Sequence, residues 1–133
     1  MTAMHDEALL VARLFLGIPF IVWGALKLRG GEAKLVPMLA ALGLPDATFL
    51  AYLVGFCEFV GGVAVTVGYP VRTVGILLGL WCLLTGYAAH RSDINQLLAH
   101  VAMAGGFFLL AATGAGALAL FGGAPTGWFA YLP

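Results

Sequence analysis

Two charged residues lie inside apolar stretches of the sequence. Arg13 falls about one turn inside residues 9–28, and Glu58 lies near the middle of 47–69. A charge at membrane depth costs about 2.5–3.5 kcal/mol on insertion scales, so it needs a partner or a cavity and is usually functional. With a rise of 1.5 Å per residue, Arg13 lies only roughly 8 Å nearer the membrane surface than Glu58, within reach of a guanidinium. We therefore predict an ion pair between Arg13 and Glu58.

This predicted pair has two interpretations. A buried ion pair can fix the register of two helices without any further role. Alternatively, Glu58 exchanges protons with a substrate or cofactor, because burial favours its neutral form while a neighbouring guanidinium favours the carboxylate. The sequence leaves both open.

Further polar residues could form a site with this pair. Lys27 shares a helix face with Arg13, and His90 and His100 fall on the same side of the membrane as Lys27. An imidazole can donate a hydrogen bond to a carbonyl or accept one, which suits a quinone headgroup or a proton entry point. His90 fits an interfacial residue equally well, so His100, one turn deeper, is the stronger candidate. Trp81 could line a pocket for an aromatic ring, although packing explains such a residue as well.

Metal and disulfide chemistry receive little support. The sequence has no His-x-x-x-His, Glu-x-x-His or Cys-x-x-Cys spacing, so we expect no metal. Cys57 and Cys82 fall at similar depth on consecutive spans and could approach each other, but both are better interpreted as small packing residues.

The elements that hold these residues are transmembrane helices. The 133 residues are 62% hydrophobic and 9% charged, whereas soluble domains carry about 25% charged residues. The net charge is zero and no basic run occurs, which excludes a nucleic-acid binder. Apolar runs of roughly 20 residues without alternation indicate spanning helices, not barrel strands. We predict an all-α fold, a single domain (1–133) that is a four-helix transmembrane bundle with spans at about 9–28, 47–69, 71–89 and 97–121.

The connections and the tail suggest how the bundle sits in the membrane. The apolar segment 33–42 is too short to span, so we expect an interfacial or re-entrant segment that roofs one end. Trp128 and Tyr131 are expected to anchor the tail at headgroup level. Positive residues favour the cytoplasmic side. One side of the bundle carries most of them, which predicts that both termini lie outside; they are Lys27, Arg29, Lys34 and Arg91.

Charged residues and glycines recur in a fixed order along the spans. They are Arg13-x-x-x-Gly17 with Gly24-x-x-Lys27, then Glu58-x-x-Gly61-Gly62 with Gly68, then Arg72 leading to His90, then His100 with Gly105-Gly106. This order resembles the DoxX family over nearly the whole chain. The chain departs from the family at Ala99-His100, where a Lys-Asn pair is common, so the match rests mainly on the first three spans.

The resemblance implies a multi-pass protein of a bacterial or archaeal inner membrane. The family is named for a subunit associated with terminal quinol oxidase, and it has relatives linked to thiosulfate-to-quinone electron transfer. We therefore expect a quinone-interacting redox subunit, with quinone as cofactor. Glu58 and His100 are the candidate catalytic residues together with Arg13, which would tune Glu58. His90, Lys27 and Trp81 are the candidate cofactor-binding residues.

Two other functions fit the same residues. In a non-enzymatic adaptor or anchor, the polar pairs would hold the bundle together while the loops dock a partner protein. A small transporter is less well supported, since its substrate path would require oligomerisation. Whether the chain is itself part of an oxidoreductase is left open. The expected partners are lipid, a redox partner protein and a second copy of the chain, with no nucleic acid.

Overall fold

The computed structural model describes residues 2–120. It contains five helices: α1 (Thr2–Leu26), α2 (Glu32–Ala41), α3 (Ala47–Val67), α4 (Val71–His90) and α5 (Ile94–Thr113). Four of them, α1, α3, α4 and α5, are long and apolar enough to cross a membrane. No strand occurs within the described residues. The prediction of an all-α bundle with four spanning helices is therefore confirmed.

The spanning helices form two tightly packed pairs, α1 with α3 and α4 with α5, and the contacts between the pairs are fewer. Glycines allow the close approach of α1 to α3. A methyl group on Gly17 would lie 2.8 Å from the carbonyl oxygen of Gly62, and one on Gly24 would lie 2.6 Å from that of Gly55. Only residues without a Cβ atom permit this distance. The same contacts make the two helices antiparallel in a fixed register.

An apolar core joins the two pairs over part of their length. Phe20 of α1 meets Phe107 of α5 edge to face, with ring centroids 5.1 Å apart. On the other side of the bundle, Leu78 of α4 packs against α3, where a methyl group on Gly61 would lie 3.2 Å from it. Beyond this core, towards the α1–α2 and α4–α5 connections, the space between the pairs is not filled.

The chain breaks its first helix at Lys27–Gly31. Gly30 has φ 112°, a conformation that residues with a Cβ atom rarely adopt. The short helix α2 follows and packs on α3. It matches the predicted short apolar segment 33–42, and it covers one side of the unfilled space.

Helix α5 differs from the predicted fourth span of 97–121 at both ends. It begins earlier, because the side chain of Asp93 accepts hydrogen bonds from the backbone N–H groups of Asn95 (3.0 Å) and Gln96 (3.3 Å) and so caps the helix. It ends at Thr113, because Gly114 takes φ 86° and ψ −170° and breaks the helix. Hydropathy alone did not reveal this stop, since the following residues are also apolar.

The segment 114–120 then runs back across the ends of α1 and α3. The N–H of Ala117 donates to Oδ1 of Asp6 at 2.9 Å, and the N–H of Leu120 donates to the carbonyl of Val67 at 2.9 Å. The predicted anchors Trp128 and Tyr131 lie outside the described residues.

Candidate functional site

A cavity of about 640 Å³ lies between the two helix pairs, at the end that carries α2. Apolar side chains from α1, α2 and α5 form much of its wall; they include Phe20, Trp23, Leu35, Met38 and Met103. Most of the predicted site residues also line it, namely Lys27, Glu58, Trp81, His90 and His100. The structure thus brings together side chains from five helical elements that are far apart in the sequence.

Glu58 is the centre of a polar network in this cavity. Its side chain is buried on α3, with the residue only 7% exposed. Lys27, at the break after α1, donates from Nζ to Oε2 of Glu58 and forms an ion pair with it. Trp81 of α4 donates from Nε1 to Oε1 at 3.0 Å. Both carboxylate oxygens are therefore held, one from each helix pair, so the network links the two pairs across the cavity.

The predicted ion pair between Arg13 and Glu58 is wrong. Arg13 donates instead to two backbone carbonyls, that of Thr66 at 3.4 Å and that of Leu118. The glycine contacts explain the difference, because they fix an antiparallel register that places the start of α1 beside the end of α3. In that register Lys27, near the end of α1, is the cation beside Glu58. The depth of Arg13 in the membrane would let it reach Glu58, but the register of α1 against α3 keeps the two side chains apart.

Arg13 lies at the opposite end of the bundle and does not line the cavity. It is 1% exposed, and its Nε atom has no hydrogen-bond partner among the described residues. Gly68 makes room for its guanidinium, since a methyl group there would lie 3.1 Å from Cζ of Arg13. The position of Arg13 indicates that it holds the segment 114–120 against the bundle.

The two histidines lie together at the outer part of the cavity. The rings of His90 and His100 have centroids 4.9 Å apart and are tilted by 32°. Nδ1 of His100 lies 2.8 Å from the carbonyl oxygen of Gln96. Because a carbonyl oxygen only accepts, we assign the proton to Nδ1, which leaves Nε2 of a neutral ring as an acceptor. The clustering expected from the sequence is therefore present.

Several residues of the cavity wall were not among the predicted site residues. Lys34 of α2 and Gln96 of α5 bring polar groups to the exposed side of the cavity. The signal for Gln96 was its position one turn before His100, and for Lys34 its place in the short helix. Cys82, interpreted as a packing residue, is buried and lines the cavity, whereas Cys57 is exposed. Both cysteines are free.

The cavity combines three kinds of group that together suit a flat polar ring. An ammonium and a protonated imidazole can donate hydrogen bonds to carbonyl oxygens, and a neutral imidazole can accept one from a hydroxyl group. A buried carboxylate can accept or release a proton. Aromatic side chains such as Phe20 and Trp23, whose rings meet at 5.4 Å, can pack on a planar ligand. No group of three His, Cys, Asp or Glu in residues 2–120 could hold a metal ion.

Comparisons with known proteins agree with this architecture. Residues 8–91, which cover most of α1 to α4, match the DoxX family. The chain is 34% identical to the inner membrane protein YqjF of Escherichia coli K12, over 90% of this chain and 94% of that protein. It is 30% identical to the inner membrane protein YphA of the same organism, over 89% and 91% of the two chains.

One further relative matches only part of the chain. Over 60% of this chain and 58% of the relative, the sequence is 38% identical to a Bacillus subtilis protein named "Putative oxidoreductase CatD". No solved structure matches the chain significantly. The four apolar helices and the inner-membrane relatives confirm the predicted location: this is a multi-pass inner-membrane protein. From the family match over α1 to α4 and the near full-length relatives, the chain belongs to the DoxX family.

Proposed function

We propose that the chain is the membrane subunit of a redox system and that its cavity binds the headgroup of a quinone or quinol. The observation that carries the proposal is the convergence of Lys27, Glu58 and His100 on one cavity between membrane-spanning helices. Its volume of about 640 Å³ lies within the range of about 300–1,000 Å³ typical of small-molecule sites. The name of the Bacillus subtilis relative supports redox chemistry in the family.

The two polar clusters of the cavity suit the two carbonyl groups of a quinone. The inner cluster is Lys27, Glu58 and Trp81, and the outer cluster is the histidine pair. His90 follows Trp81 along α4 at a distance of about 13 Å between backbones, a gap that the side chains shorten from both sides. One carbonyl would accept a hydrogen bond from Nζ of Lys27, and the other from a protonated imidazole.

Reduction of a quinone to a quinol takes up two electrons and two protons. In this proposal the electrons come from a redox partner protein, and the protons pass through the cavity side chains. The ammonium of Lys27 delivers one proton to the carbonyl it contacts, and protonated His100 delivers the other, while the carboxylate of Glu58 holds Lys27 in position. Lys27 replaces Arg13 as the cation that pairs with Glu58.

Quinone binding to single variants tests this function. In a Trp23→Phe, Trp128→Phe background, Trp81 is the single tryptophan of the chain and reports binding through saturable fluorescence quenching. We expect Glu58→Gln and His100→Ala each to weaken binding by about tenfold, because the first removes the charge that holds Lys27 in place and the second removes a hydrogen bond to the ligand worth about 1–2 kcal/mol. The matched controls Glu7→Gln and His5→Ala, which are exposed near the start of α1 and do not line the cavity, should leave the affinity unchanged. Equal affinity in all four well-inserted variants would exclude the proposal.

An adaptor function is the second candidate, and one observation favours it. The Lys27–Glu58–Trp81 network satisfies its own hydrogen bonds and joins the two helix pairs, as a purely structural fastener would. Purification in mild detergent separates the two functions. Retained quinone supports the redox subunit, whereas a stoichiometric protein partner without quinone supports the adaptor.

A further inference from the structure

The cavity opens towards the membrane between α1, α2 and α5. Among its lining residues, the exposed ones are Trp23 of α1, Lys34 of α2, and Gln96 and Ala99 of α5. On the opposite side, between α3 and α4, the lining residues such as Val54 are half-buried. The opening between α1 and α5, the α1–α5 seam, ends about one turn deeper than Trp23, where Phe20 of α1 packs on Phe107 of α5, so it lies at the level of Trp23 and Ala99.

The opening changes from polar to apolar with depth. Lys34 and Gln96 lie at the helix ends, where headgroups and water are found. Ala99 lies about 7 Å further along α5 than its first residue, Ile94. Trp23, which is 42% exposed, lies on the α1 side of the same seam, and tryptophan is typical of the boundary between headgroups and hydrocarbon. The seam therefore faces hydrocarbon, while the mouth above it faces the membrane surface.

We infer that the ligand of this cavity is a membrane-dissolved amphiphile, a quinone whose hydrocarbon tail leaves the cavity through the α1–α5 seam beside Trp23 and Ala99. This inference rests on the proposed function and names its substrate class: a tailed quinone that enters sideways from the bilayer, not a water-soluble ring. The polar ring reaches Lys27 and Glu58, and the tail never leaves the hydrocarbon.

The physical consequence is a specific pattern of affinities. Lipid is as apolar as an aliphatic side chain, so a tail that stays in the seam gains or loses little relative to the bilayer. A tailed quinone and the same ring without a tail should then bind equally well when compared at equal mole fraction in the membrane. If the cavity opened only to water, the tailed quinone would have to leave the hydrocarbon and would bind far more weakly.

The test uses two probes in phosphatidylcholine nanodiscs: a dimethoxy-methyl-benzoquinone, and the same ring carrying a decyl chain. Binding is followed by quenching of Trp81 in the background described above. In the protein that keeps Ala99, we expect the affinities for the two quinones, at equal mole fraction, to agree within about threefold. Ala99→Phe narrows the seam. It should weaken binding of the decyl quinone by about tenfold and change the affinity for the tailless ring by less than about twofold.

Ala102→Phe is the matched control, because Ala102 is exposed on the same helix and does not line the cavity. Ala99→Leu provides a smaller obstruction, with an intermediate effect, should the phenylalanine variant insert poorly. If Ala99→Phe and Ala102→Phe changed the affinity for the decyl quinone equally, the inference would be overturned. The same would follow if the protein that keeps Ala99 bound the decyl quinone much more weakly than the tailless ring. In those cases the proposed function would stand, whereas failure of both probes to bind would overturn the proposed function itself.

Discussion

At the scale of single residues, the structure assigns different roles to the two intramembrane cations. Lys27 neutralises Glu58 inside the cavity, while Arg13 holds backbone carbonyls at the opposite end of the bundle. A buried carboxylate needs a partner, because the free energy of desolvating an unpaired charge exceeds the stabilisation that most single interactions provide. The partners of Glu58 therefore determine whether the cavity is stable.

Removal of Lys27 and removal of Glu58 should have unequal effects on stability. Lys27→Met leaves Glu58 buried without a cation and should lower the free energy of unfolding by about 3 kcal/mol. Glu58→Gln should cost only about 1 kcal/mol, since the Lys27 side chain is 26% exposed and can extend towards water. Unfolding with sodium dodecyl sulfate in mixed micelles measures both values.

Lys34→Met provides the control for loss of a lysine. Because Lys34 is exposed, this variant should be almost as stable as the parent protein. A larger loss in Glu58→Gln than in Lys27→Met would contradict the assigned network.

At the scale of helices, glycines determine which helices pack closely and in which register. The α1–α3 pair depends on glycines whose missing side chains leave room for a neighbouring backbone. Without a hydrophobic driving force between helices in lipid, such close packing is the main source of association. The same glycines therefore place Lys27, not Arg13, beside Glu58.

Two glycine-to-alanine substitutions should act in opposite directions. A methyl group at Gly24 would lie 2.6 Å from the carbonyl of Gly55, so Gly24→Ala should separate α1 from α3 and destabilise the protein by about 1–3 kcal/mol. At Gly105 of α5 a methyl group meets nothing within 4 Å, so Gly105→Ala should be neutral or stabilise the helix by up to about 1 kcal/mol. Thermal unfolding in detergent distinguishes them, and equal midpoints would show that the α1–α3 contact is looser than described.

At the scale of the whole molecule, the bundle has two ends with separate tasks. One end contains the cavity, and the other is closed by the segment 114–120. That segment is fastened through Asp6, Arg13 and Val67, all at the far end of α1 or α3 from the cavity. A change at the closed end should therefore leave ligand binding intact.

Arg13→Met tests this separation. Loss of the guanidinium removes a charged donor worth about 1.5–3 kcal/mol, so the amides of Ala117 and Leu120 should exchange hydrogen for deuterium about tenfold faster or more. Quinone affinity, measured by quenching of Trp81, should stay within about twofold of the parent, because no cavity residue is changed. An affinity loss as large as that of Glu58→Gln would show that Arg13 belongs to the site after all.

Asp6→Ala offers a second way to loosen the segment, since Oδ1 of Asp6 accepts the N–H of Ala117. Its effect on exchange should be confined to the same segment.

The sequence by itself determined the number of spanning helices, the all-α fold and five of the residues that line the cavity. These follow from local properties: run length, hydropathy, and the presence of Glu58, Lys27 and the histidines in apolar surroundings. The end of α5 was misjudged because Gly114 stops the helix within an apolar run. Hydropathy reports the cost of burial but not the backbone conformation.

Only the tertiary structure decided the partners. The choice of Lys27 over Arg13 for Glu58, the indole donor of Trp81 and the opening beside Ala99 all depend on helix register and spacing. Register arises from contacts between residues far apart in the sequence, such as Gly24 with Gly55. Depth in the membrane fixes only one coordinate of a side chain, whereas pairing requires the helix faces to meet as well.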